Sequence, residues 1–406
     1  MGTLQEITVL QVVANLDIGG AQEVVRTLSR FLPEFGCRPV VVSLRDGPLR
    51  GEIERLGVPV EILPGRSHSL VSSPRAIGEL MRLHAELGRS AERHGASVIQ
   101  THLLRTLDFV VLPLLLRRGL RHVYWTVHNA RLDLRADQVP GRRWLLGPKV
   151  RAHRALYWAG VRAASGFIAV SDDAARAVRE QLHPPPGKLF TIPNGVDTDR
   201  YGAPVDGAAV RARLGLPAGR LVTVVAKLME QKGHRVLLDA LPGVVERHPD
   251  LQVALAGEGP LRDEIARQAA ALGLAARVHF VGNRSDVADL LAASDLFLLP
   301  SLWEGLPMAL LEAMASRLPV IATAVSGSRD VVVNDESGLL VPPGDAAALS
   351  VAMAELLADP ARAARLAEGA RTRVEESFSA RTQARRHVAL YRRRANRPVQ
   401  ARGEAA

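Results

Sequence analysis

Residues 300–319 read PSLWEGLPMALLEAMASRLP, and they follow the apolar run Leu296–Leu299. A short apolar run of this kind is typical of a buried parallel strand. Proline is favoured at the first helical position, so the pattern predicts a helix that begins at Pro307 and continues over Met308–Ala315. The whole stretch is therefore predicted to form a strand, a tight turn and a helix.

Two carboxylates flank the start of this predicted helix: Glu304 lies in the turn, and Glu312 lies within the helix. The first amide N–H groups of a helix have no partner in the helix, and beyond the carboxyl end of a strand they face any bound anion. Phosphate at the helix start, with carboxylates that accept bonds from hydroxyl groups, fits a nucleotide sugar. Taken alone, the stretch is equally consistent with an ordinary strand, turn and solvated helix.

The composition indicates a globular protein. The chain has 406 residues, of which 47% are hydrophobic and 23% charged, so two or three domains are expected. The single cysteine, Cys37, excludes a disulfide framework and fits a reducing compartment. The N-terminus lacks the basic segment of a secretory signal, and the apolar run 109–116 is too short to cross a bilayer. We therefore predict a cytoplasmic protein.

The charge is unevenly distributed along the chain. Residues 1–200 carry 27 Lys/Arg and 19 Asp/Glu, which gives +8 of the total net charge of +10. A basic N-terminal half favours an anionic partner such as a phosphate-bearing acceptor or a membrane surface. Aromatic residues make up only 4% of the chain, so there are few platforms on which bases could stack, and no nucleic-acid partner is predicted.

Apolar runs alternate with helical stretches along the whole chain, which predicts two β/α layers with mainly parallel sheets. The strands predicted in the first layer are 7–13, 39–44, 58–63, 97–101, 122–127, 166–170 and 189–193. Those predicted in the second layer are 222–226, 253–256, 278–281, 296–299 and 320–322, and they precede helices near 346–357, 360–376 and 381–394.

The domain boundaries follow from a segment rich in Gly, Pro and Asp at 198–207, which is interpreted as a linker. The predicted N-terminal domain is 1–202, with the helix 381–394 packing back on it. The predicted C-terminal domain is 203–380, and 395–406 is predicted to be a flexible tail.

Glycine and histidine residues follow strands of the first layer. Gly19 and Gly20 separate the first strand from the first helix, where they would let the backbone approach a phosphate or sugar closely. The Gly-x-Gly-x-x-Gly spacing is absent, so a nicotinamide dinucleotide site is not predicted. His128 follows the strand 122–127 and is placed to contact a sugar or a developing charge. The alternative is a loop histidine with a local hydrogen bond.

Two lysines follow the first strand of the second layer. Lys227 and Lys232 precede Gly233, which opens a helix, and this arrangement suits a diphosphate. The run Asp197-Thr198-Asp199 has the Asp-x-Asp spacing of some metal-dependent transferases. It follows Asn-Gly and precedes the linker, so we interpret it as a turn and predict no metal site.

Residues 142–162 mix cations with aromatic residues at helical spacing. Such a helix is able to lie on an anionic membrane surface. An ordinary surface helix whose aromatic residues enter the core is the preferred alternative.

Taken together and in order, these pieces resemble the retaining glycosyltransferases of family 4, the group 1 glycosyltransferases. The resemblance covers most of the chain and is densest over residues 192–344. Its motifs are Gly19-Gly20-Ala21, Thr126-Val127-His128, Val170-Ser171, Asn194-Gly195-Val196-Asp197, Gln231-Lys232-Gly233, Gly257-Glu258-Gly259-Pro260-Leu261, Phe280-Val281-Gly282, Ser294-Asp295, Pro300-Ser301, Glu304-Gly305 and Glu312-Ala313-Met314-Ala315. One departure is Ala226-Lys227-Leu228, where the family usually has Gly-Arg-Leu, so the bidentate fork of arginine is lost.

The resemblance implies an α/β protein of GT-B architecture, with two Rossmann-like domains that face each other across a cleft. It implies that Glu304 contacts the hydroxyls of the donor hexose and that Glu312 holds the ribose hydroxyls. The catalytic residues that it implies are His128, Glu304 and Lys232. The donor-binding residues that it implies are Gly19, Gly20, Lys227, Lys232, Gly257, Asn283, Glu304, Gly305, Leu306, Pro307, Met308 and Glu312.

The expected reaction is transfer of a hexose-type sugar, with retention, from a nucleoside-diphosphate sugar to a hydroxyl of a glycan, lipid-linked or small-molecule acceptor in bacterial polysaccharide or glycoconjugate synthesis. A UDP-sugar is favoured over a GDP-sugar, and no metal or cofactor is expected. The expected location is the cytoplasm or the inner face of the cell membrane. A nucleotide-sugar epimerase or hydrolase of the same architecture, and a non-catalytic binding relative, are the alternatives.

Overall fold

The computed structural model describes residues 6–63, 74–102, 120, 122–128 and 160–395. The chain divides into two compact units, which are described separately: unit 1 is Met1–Ile192 with Gln383–Ala406, and unit 2 is Pro193–Thr382. Most of the cationic stretch 142–162 and nearly all of the predicted tail 395–406 lie outside the described residues.

Unit 1 contains a seven-stranded parallel sheet in the order β3-β2-β1-β4-β5-β6-β7. Its strands are β1 (Ile7–Val13), β2 (Cys37–Ser43), β3 (Val60–Ile62), β4 (Val98–His102), β5 (His122–Val127), β6 (Gly166–Ala169) and β7 (Leu189–Thr191). The described helices in the first segment of unit 1, residues 1–192, are α1 (Gly20–Phe31), α2 (Leu49–Arg55), α3 (Pro74–His94) and α4 (Asp172–Leu182). The seven residues of β1 are all buried, as expected for a strand in the middle of a sheet covered by helices.

Unit 2 contains a six-stranded parallel sheet in the order β10-β9-β8-β11-β12-β13. Its strands are β8 (Leu221–Val225), β9 (Gln252–Ala256), β10 (Val278–Gly282), β11 (Leu296–Leu299), β12 (Val320–Thr323) and β13 (Leu339–Val341). Its helices are α5 (Gly207–Arg213), α6 (His234–Arg247), α7 (Arg262–Ala271), α8 (Val287–Ala292), α9 (Met308–Ala315), α10 (Ser326–Val331), α11 (Ala346–Ala358) and α12 (Pro360–Ser377).

The last described helix, α13 (Ala380–Ala395), begins in unit 2 and continues in unit 1. Within unit 1, Tyr391 donates a hydrogen bond to Gln100, and the Arg392 guanidinium donates to the Phe35 carbonyl at 2.8 Å. Within unit 2, Val196 N–H donates to the Phe378 carbonyl and Ala380 N–H donates to the Val196 carbonyl, both at 2.8 Å. These bonds attach the start of unit 2 to its last segment, and the division lies earlier in the chain than the predicted boundary at residue 202.

Several predicted elements end differently in the structure. Pro307 is the N-cap of α9 with ψ of 110°, so the helix begins at Met308, and the prediction that Pro307 is the first helical residue is wrong. Strand β7 ends before Pro193, because proline has no N–H to give to a strand ladder. Strand β13 was not predicted, since three residues are too few to form an alternating pattern.

The first six strands of each sheet have the same order, and the sheet of unit 1 has a seventh strand. In each, the first strand of the unit lies beside the fourth, so that the strand order reverses between β1 and β4 and between β8 and β11. Loops that leave neighbouring strands at such a reversal diverge to opposite faces and open a crevice beyond the carboxyl ends of the strands. Among the described residues, none of the helices combines the length and apolar character that a membrane span requires.

Candidate functional site

The reversal of strand order in unit 2 brings two predicted site residues together. Lys232 lies in the loop that follows β8, and Glu304 lies in the loop that follows β11, the neighbouring strand. The lysine ammonium donates to Glu304 Oε1 at 2.5 Å. The Glu304 side chain is 6% exposed and the Lys232 side chain 19% exposed. The two charges therefore compensate each other in a largely dry site, where either alone would be costly.

A third side chain bonds to the same carboxylate oxygen. The Ser301 hydroxyl donates to Glu304 Oε1 at 2.6 Å, and Ser301 is fully buried. Its carbonyl in turn accepts a bond from the Thr323 hydroxyl, at the end of β12, at 2.5 Å. Ser301 was not among the predicted site residues, although its position three residues before Glu304 is a spacing at which serine commonly bonds within its own turn.

The turn that carries Glu304 is attached to the loop that carries Lys232. Leu302 N–H donates to the Gln231 carbonyl at 2.8 Å, and the Gln231 side-chain amide donates to the Trp303 carbonyl at 2.8 Å. Gln231 was also missed by the sequence reasoning, because a glutamine in a loop carries no pattern that identifies its partner. These two bonds fix the backbone of the carboxylate loop relative to Lys232.

Two glycines let neighbouring loops approach this turn. Gly233 has φ of +64°, and a Cβ at this position would lie 2.0 Å from the Pro300 carbonyl oxygen. A Cβ on Gly327, in α10, would lie 1.7 Å from the Gly305 carbonyl oxygen. Real Cβ atoms do not approach so closely, so only glycine permits either contact. The loops after β8 and β12 therefore enclose the turn between Pro300 and Gly305.

The start of α9 completes this part of the site. Its N-cap, Pro307, has no side-chain oxygen, and no described side chain caps the helix. The first-turn amides are thus left without the capping that a Ser or Asp would supply, and the helix dipole favours an anion there. Seven of the eight helical residues are buried, including Glu312, which is 7% exposed. Gly305, Leu306, Pro307 and Met308 are buried as well.

The remaining donor-binding residues predicted in unit 2 lie beyond the carboxyl ends of neighbouring strands. Lys227 is exposed in the loop after β8, and Asn283 is exposed after β10. Gly257 follows β9 with φ of +148°, and a Cβ there would lie 2.1 Å from the Ala226 carbonyl oxygen. The loops after β8, β9, β10 and β11 therefore share one edge of the sheet, as predicted from their glycine-rich turns.

The predicted site residues of unit 1 lie beyond the carboxyl ends of β1 and β5. Gly19 is the extended N-cap of α1, and Gly20 is its first residue. His128 follows β5 and is 9% exposed. Its Nε2 lies 3.3 Å from Nδ1 of His102, the buried last residue of β4 and a residue absent from the predicted site.

Burial sets the protonation of this histidine pair. Desolvation lowers the pKa of His128 to about 4, and it holds the pKa of His102 well below its usual value. Both rings are therefore neutral at pH 7. One ring donates its N–H and the other accepts, so the pair is a hydrogen-bonding unit that carries no charge.

The Asp-x-Asp run is a turn, as predicted. Asp197 Oδ1 accepts hydrogen bonds from the backbone N–H groups of Asp199 at 3.1 Å and Arg200 at 3.2 Å. The second aspartate of the run, Asp199, forms an ion pair with Arg381 at 2.9 Å. Within the described parts of the chain, no group of three or more His, Cys, Asp or Glu side chains has an arrangement that could hold a metal ion.

Two family models match the chain, one to each half. The model described as Glycosyltransferase Family 4 matches residues 18–200. The model described as Glycosyl transferases group 1 matches residues 209–373.

Curated relatives match over about half of the chain. The lipopolysaccharide core biosynthesis mannosyltransferase LpsB of Rhizobium meliloti is 33% identical over 208 residues, which are 49% of this chain and 59% of LpsB. The GDP-mannose-dependent α-(1-6)-phosphatidylinositol monomannoside mannosyltransferase of Mycolicibacterium smegmatis is 34% identical over 218 residues, which are 51% of this chain and 56% of that protein. The chain thus spans less than two thirds of the length of either relative.

A solved structure matches nearly the whole chain. The structure of HepE from Anabaena in complex with UDP and glucose has a TM-score of 0.78 and 23% sequence identity, and the match covers 95% of this chain and 100% of HepE. A likeness at this level of identity establishes the fold.

Proposed function

The chain belongs to the group 1 glycosyltransferases of family 4 and has the predicted GT-B fold, and from this premise we propose that it moves a hexose-type sugar from a nucleoside-diphosphate sugar to an acceptor hydroxyl, with retention of configuration. The observation that carries the proposal is the pair of Lys232 and Glu304 at the strand-order reversal of unit 2, beside the uncapped start of α9. A cation, free amides and a carboxylate are the groups that a sugar diphosphate needs.

The proposed chemistry separates charge between two parts of the donor. As the bond between the anomeric carbon and the diphosphate breaks, the diphosphate gains negative charge and the sugar becomes cationic. Lys232 and the first-turn amides of α9 stabilise the diphosphate. Glu304 accepts hydrogen bonds from the sugar hydroxyls near the anomeric carbon. Hydrogen bonds to charged groups contribute about 1.5–3 kcal/mol each, so this small set of contacts supplies a substantial part of the rate enhancement.

The other site residues bind the rest of the donor or act from unit 1. Lys227 and Gly257 contribute to the diphosphate site, Glu312 accepts bonds from the ribose hydroxyls, and Asn283 contacts the base. For Gly19, Gly20 and His128 of unit 1 we propose contacts with a sugar. Because the pKa of His128 is lowered to about 4, this side chain acts as a neutral hydrogen-bond partner at pH 7.

The charge of the leaving group is met by groups of the chain itself. One ammonium beside a buried carboxylate and a row of backbone amides supply positive charge and hydrogen-bond donors, where a metal-dependent enzyme would use the charge of a divalent cation. We therefore propose that transfer requires neither a metal nor a cofactor. Activity that is unchanged by a chelator such as EDTA supports this, and activity restored only by added Mg²⁺ or Mn²⁺ contradicts it.

The donor base and the acceptor are proposed from the relatives. HepE was solved with UDP, whereas the relative from M. smegmatis is described as dependent on GDP-mannose. We retain a UDP-sugar as the first candidate donor and a GDP-sugar as the second. The names of the relatives refer to lipopolysaccharide core and phosphatidylinositol monomannoside, which supports a glycan or lipid-linked acceptor in bacterial glycoconjugate synthesis. We propose that such an acceptor is presented at the inner face of the cell membrane.

Thermal unfolding of the purified chain with a panel of UDP-, GDP- and ADP-sugars tests the donor. A ligand at 100 times its dissociation constant stabilises the folded state by about 2.7 kcal/mol, so the true donor should raise the melting temperature above the rest of the panel. NMR of the product then gives the anomeric configuration. Failure of every nucleotide sugar to bind contradicts the proposal, and formation of an epimerised nucleotide sugar without any acceptor would favour an epimerase.

A further inference from the structure

We infer that Ser301 is a positioning residue for Glu304. Its hydroxyl holds one carboxylate oxygen of Glu304, so that the other oxygen is presented to the donor sugar. The inference rests on the proposed function, because it assigns the second oxygen of Glu304 to a sugar hydroxyl. It concerns the only buried hydroxyl that the described structure places on this carboxylate.

The two oxygens of Glu304 have different surroundings. Oε1 accepts two hydrogen bonds, from the Lys232 ammonium at 2.5 Å and from the Ser301 hydroxyl at 2.6 Å. Oε2 has no partner among the residues that the structure describes. Because both donors act on one oxygen, the plane of the carboxylate is fixed, and the free oxygen keeps its full capacity to accept bonds from hydroxyl groups.

Ser301 is itself held in place on both sides. It is fully buried at the exit of β11, and its carbonyl accepts the bond from Thr323. The next residue, Leu302, donates its N–H to the Gln231 carbonyl. Contacts from β12 and from the loop after β8 therefore fix the backbone of Ser301, which leaves its hydroxyl one partner in the site, Glu304.

Because Ser301 also bonds to Glu304, Lys232 keeps N–H donors for other groups. An ammonium has three N–H donors, and one of them is directed at Glu304. In the proposed reaction the other two serve the diphosphate. If the hydroxyl of Ser301 were removed, only Lys232 would hold the carboxylate, so the carboxylate plane would be less well fixed relative to the donor sugar. The expected consequence is a slower transfer step with little change in the binding of the nucleoside diphosphate itself.

The test is Ser301→Ala, with Ser294→Ala as a matched control. Ser294 lies before β11, at the opposite edge of the sheet, and its hydroxyl donates to the Leu290 carbonyl at 2.7 Å. We expect kcat of Ser301→Ala to fall about 30-fold, which is less than the roughly 100- to 1,000-fold loss seen when a donor that contacts the substrate is removed, because Ser301 acts through Glu304. The dissociation constant for the nucleoside diphosphate, which lacks the sugar, should stay within about twofold of that of the parent protein. The control should leave both quantities unchanged.

Two results overturn the inference: a kcat that stays within about threefold of the parent value, or a diphosphate affinity that falls in parallel with kcat, which would indicate a collapsed turn. If the alanine variant melts at a markedly lower temperature, Ser301→Cys, which keeps the volume with a poorer donor, gives the same comparison.

As a measurement independent of turnover, Ser301→Ala should not weaken nucleotide-sugar binding further in a Glu304→Gln background. A parent protein that binds no nucleotide sugar contradicts the proposed function, whereas a parent that binds and a Ser301 variant that behaves like it contradict only this inference.

Discussion

Units 1 and 2 share the order of their first six strands but carry different polar groups at the carboxyl ends of their central strands. At the carboxyl ends of β4 and β5 in unit 1 lies the buried pair of His102 and His128, which is neutral at pH 7. Beyond β8 and β11 of unit 2 lies the ion pair of Lys232 and Glu304. The same strand order therefore supports two kinds of polar site, and the difference lies in the side chains at and beyond the strand ends.

The difference in charge between the histidine pair and Lys232 follows from the surroundings of each side chain. The charged form of His128 is disfavoured by burial and then by His387, and the charged form of His102 by burial and then by His128 and His387. Lys232 is directed at a carboxylate, so its charge is compensated where it lies. The neutral histidine pair of unit 1 suits hydrogen bonding to an uncharged sugar, whereas the ammonium of Lys232 in unit 2 suits a diphosphate.

The largest expected effect comes from removing the charge of the carboxylate. Glu304→Gln keeps the side-chain volume but removes the negative charge beside the sugar, so turnover should fall by about 1,000-fold or more. The melting temperature should fall as well, because Lys232 loses its carboxylate partner, and turnover is therefore measured at a temperature at which the variant is folded. Glu230→Gln, an exposed glutamate in the loop that also carries Lys232, is the control and should remain active. An active Glu304→Gln variant removes this carboxylate from the mechanism and, with it, the contrast between the two units.

The next largest effect separates the two lysines of unit 2. Lys232→Ala should lower kcat/KM by about 100-fold, or roughly 2.7 kcal/mol, because this ammonium is held in the site by Glu304. Lys227→Ala should cost about tenfold, because Lys227 is exposed and solvent screens its charge. Steady-state kinetics with the donor varied measures both. If Lys232→Ala lowered kcat/KM threefold or less, Lys232 would not belong to the site. If both variants lowered kcat/KM equally, burial would not explain a difference in the contributions of the two lysines.

The dependence of stability on pH tests whether the buried histidines of unit 1 are neutral. In the folded state their pKa values lie below the ordinary value of 6.5, and those of His128 and His387 are lowered to about 4. As the pH falls, the histidines of the unfolded chain therefore take up protons before those of the folded chain. Stability is therefore complete above pH 6.5 and is lost as the pH falls from 6.5 towards 4. For His128 and for His387 the loss between pH 7 and pH 5 is about 2 kcal/mol each.

Urea unfolding at pH 7 and pH 5 checks this expectation through a single variant. His387→Gln should lose less stability between the two pH values than the parent, because one buried group no longer titrates. His183→Asn, which changes an exposed histidine of the same unit, should lose as much as the parent. An identical pH dependence in His387→Gln and the parent would show that His387 is not the buried neutral group described for unit 1.

The fold and the charged residues of the site could be predicted from the sequence for a common reason. Apolar runs that alternate with helical stretches are local patterns, and β1, β5 and β11 have the predicted bounds. Glu304 and Lys232 stand in turns directly after such runs. A residue at the carboxyl end of a parallel strand is near the ligand edge of the sheet whatever the order of the strands.

The supporting residues could not be predicted in this way. Gln231, Ser301 and Thr323 meet only because β8, β11 and β12 are neighbours in the sheet, although they are far apart in the chain. The same holds for His102, whose partner follows a different strand. Strand order comes from the packing of the whole unit, so a single sequence gives no local signal for these pairs.

The smallest expected effect concerns the position where the sequence departs from its family. Lys227→Arg restores the guanidinium that the family usually has here, and its planar fork can donate two parallel bonds to one phosphate where an ammonium offers a point charge. Because the side chain is exposed, we expect the dissociation constant of the nucleoside diphosphate to fall only about threefold, measured by calorimetric titration at fixed ionic strength. Lys188→Arg in unit 1, where the ammonium donates to the Ala164 carbonyl at 2.7 Å, is the matched control and should leave the affinity unchanged. Equal or weaker binding by Lys227→Arg would show that this side chain does not contact the diphosphate, and it would leave Lys232 and the start of α9 as its binding groups in unit 2.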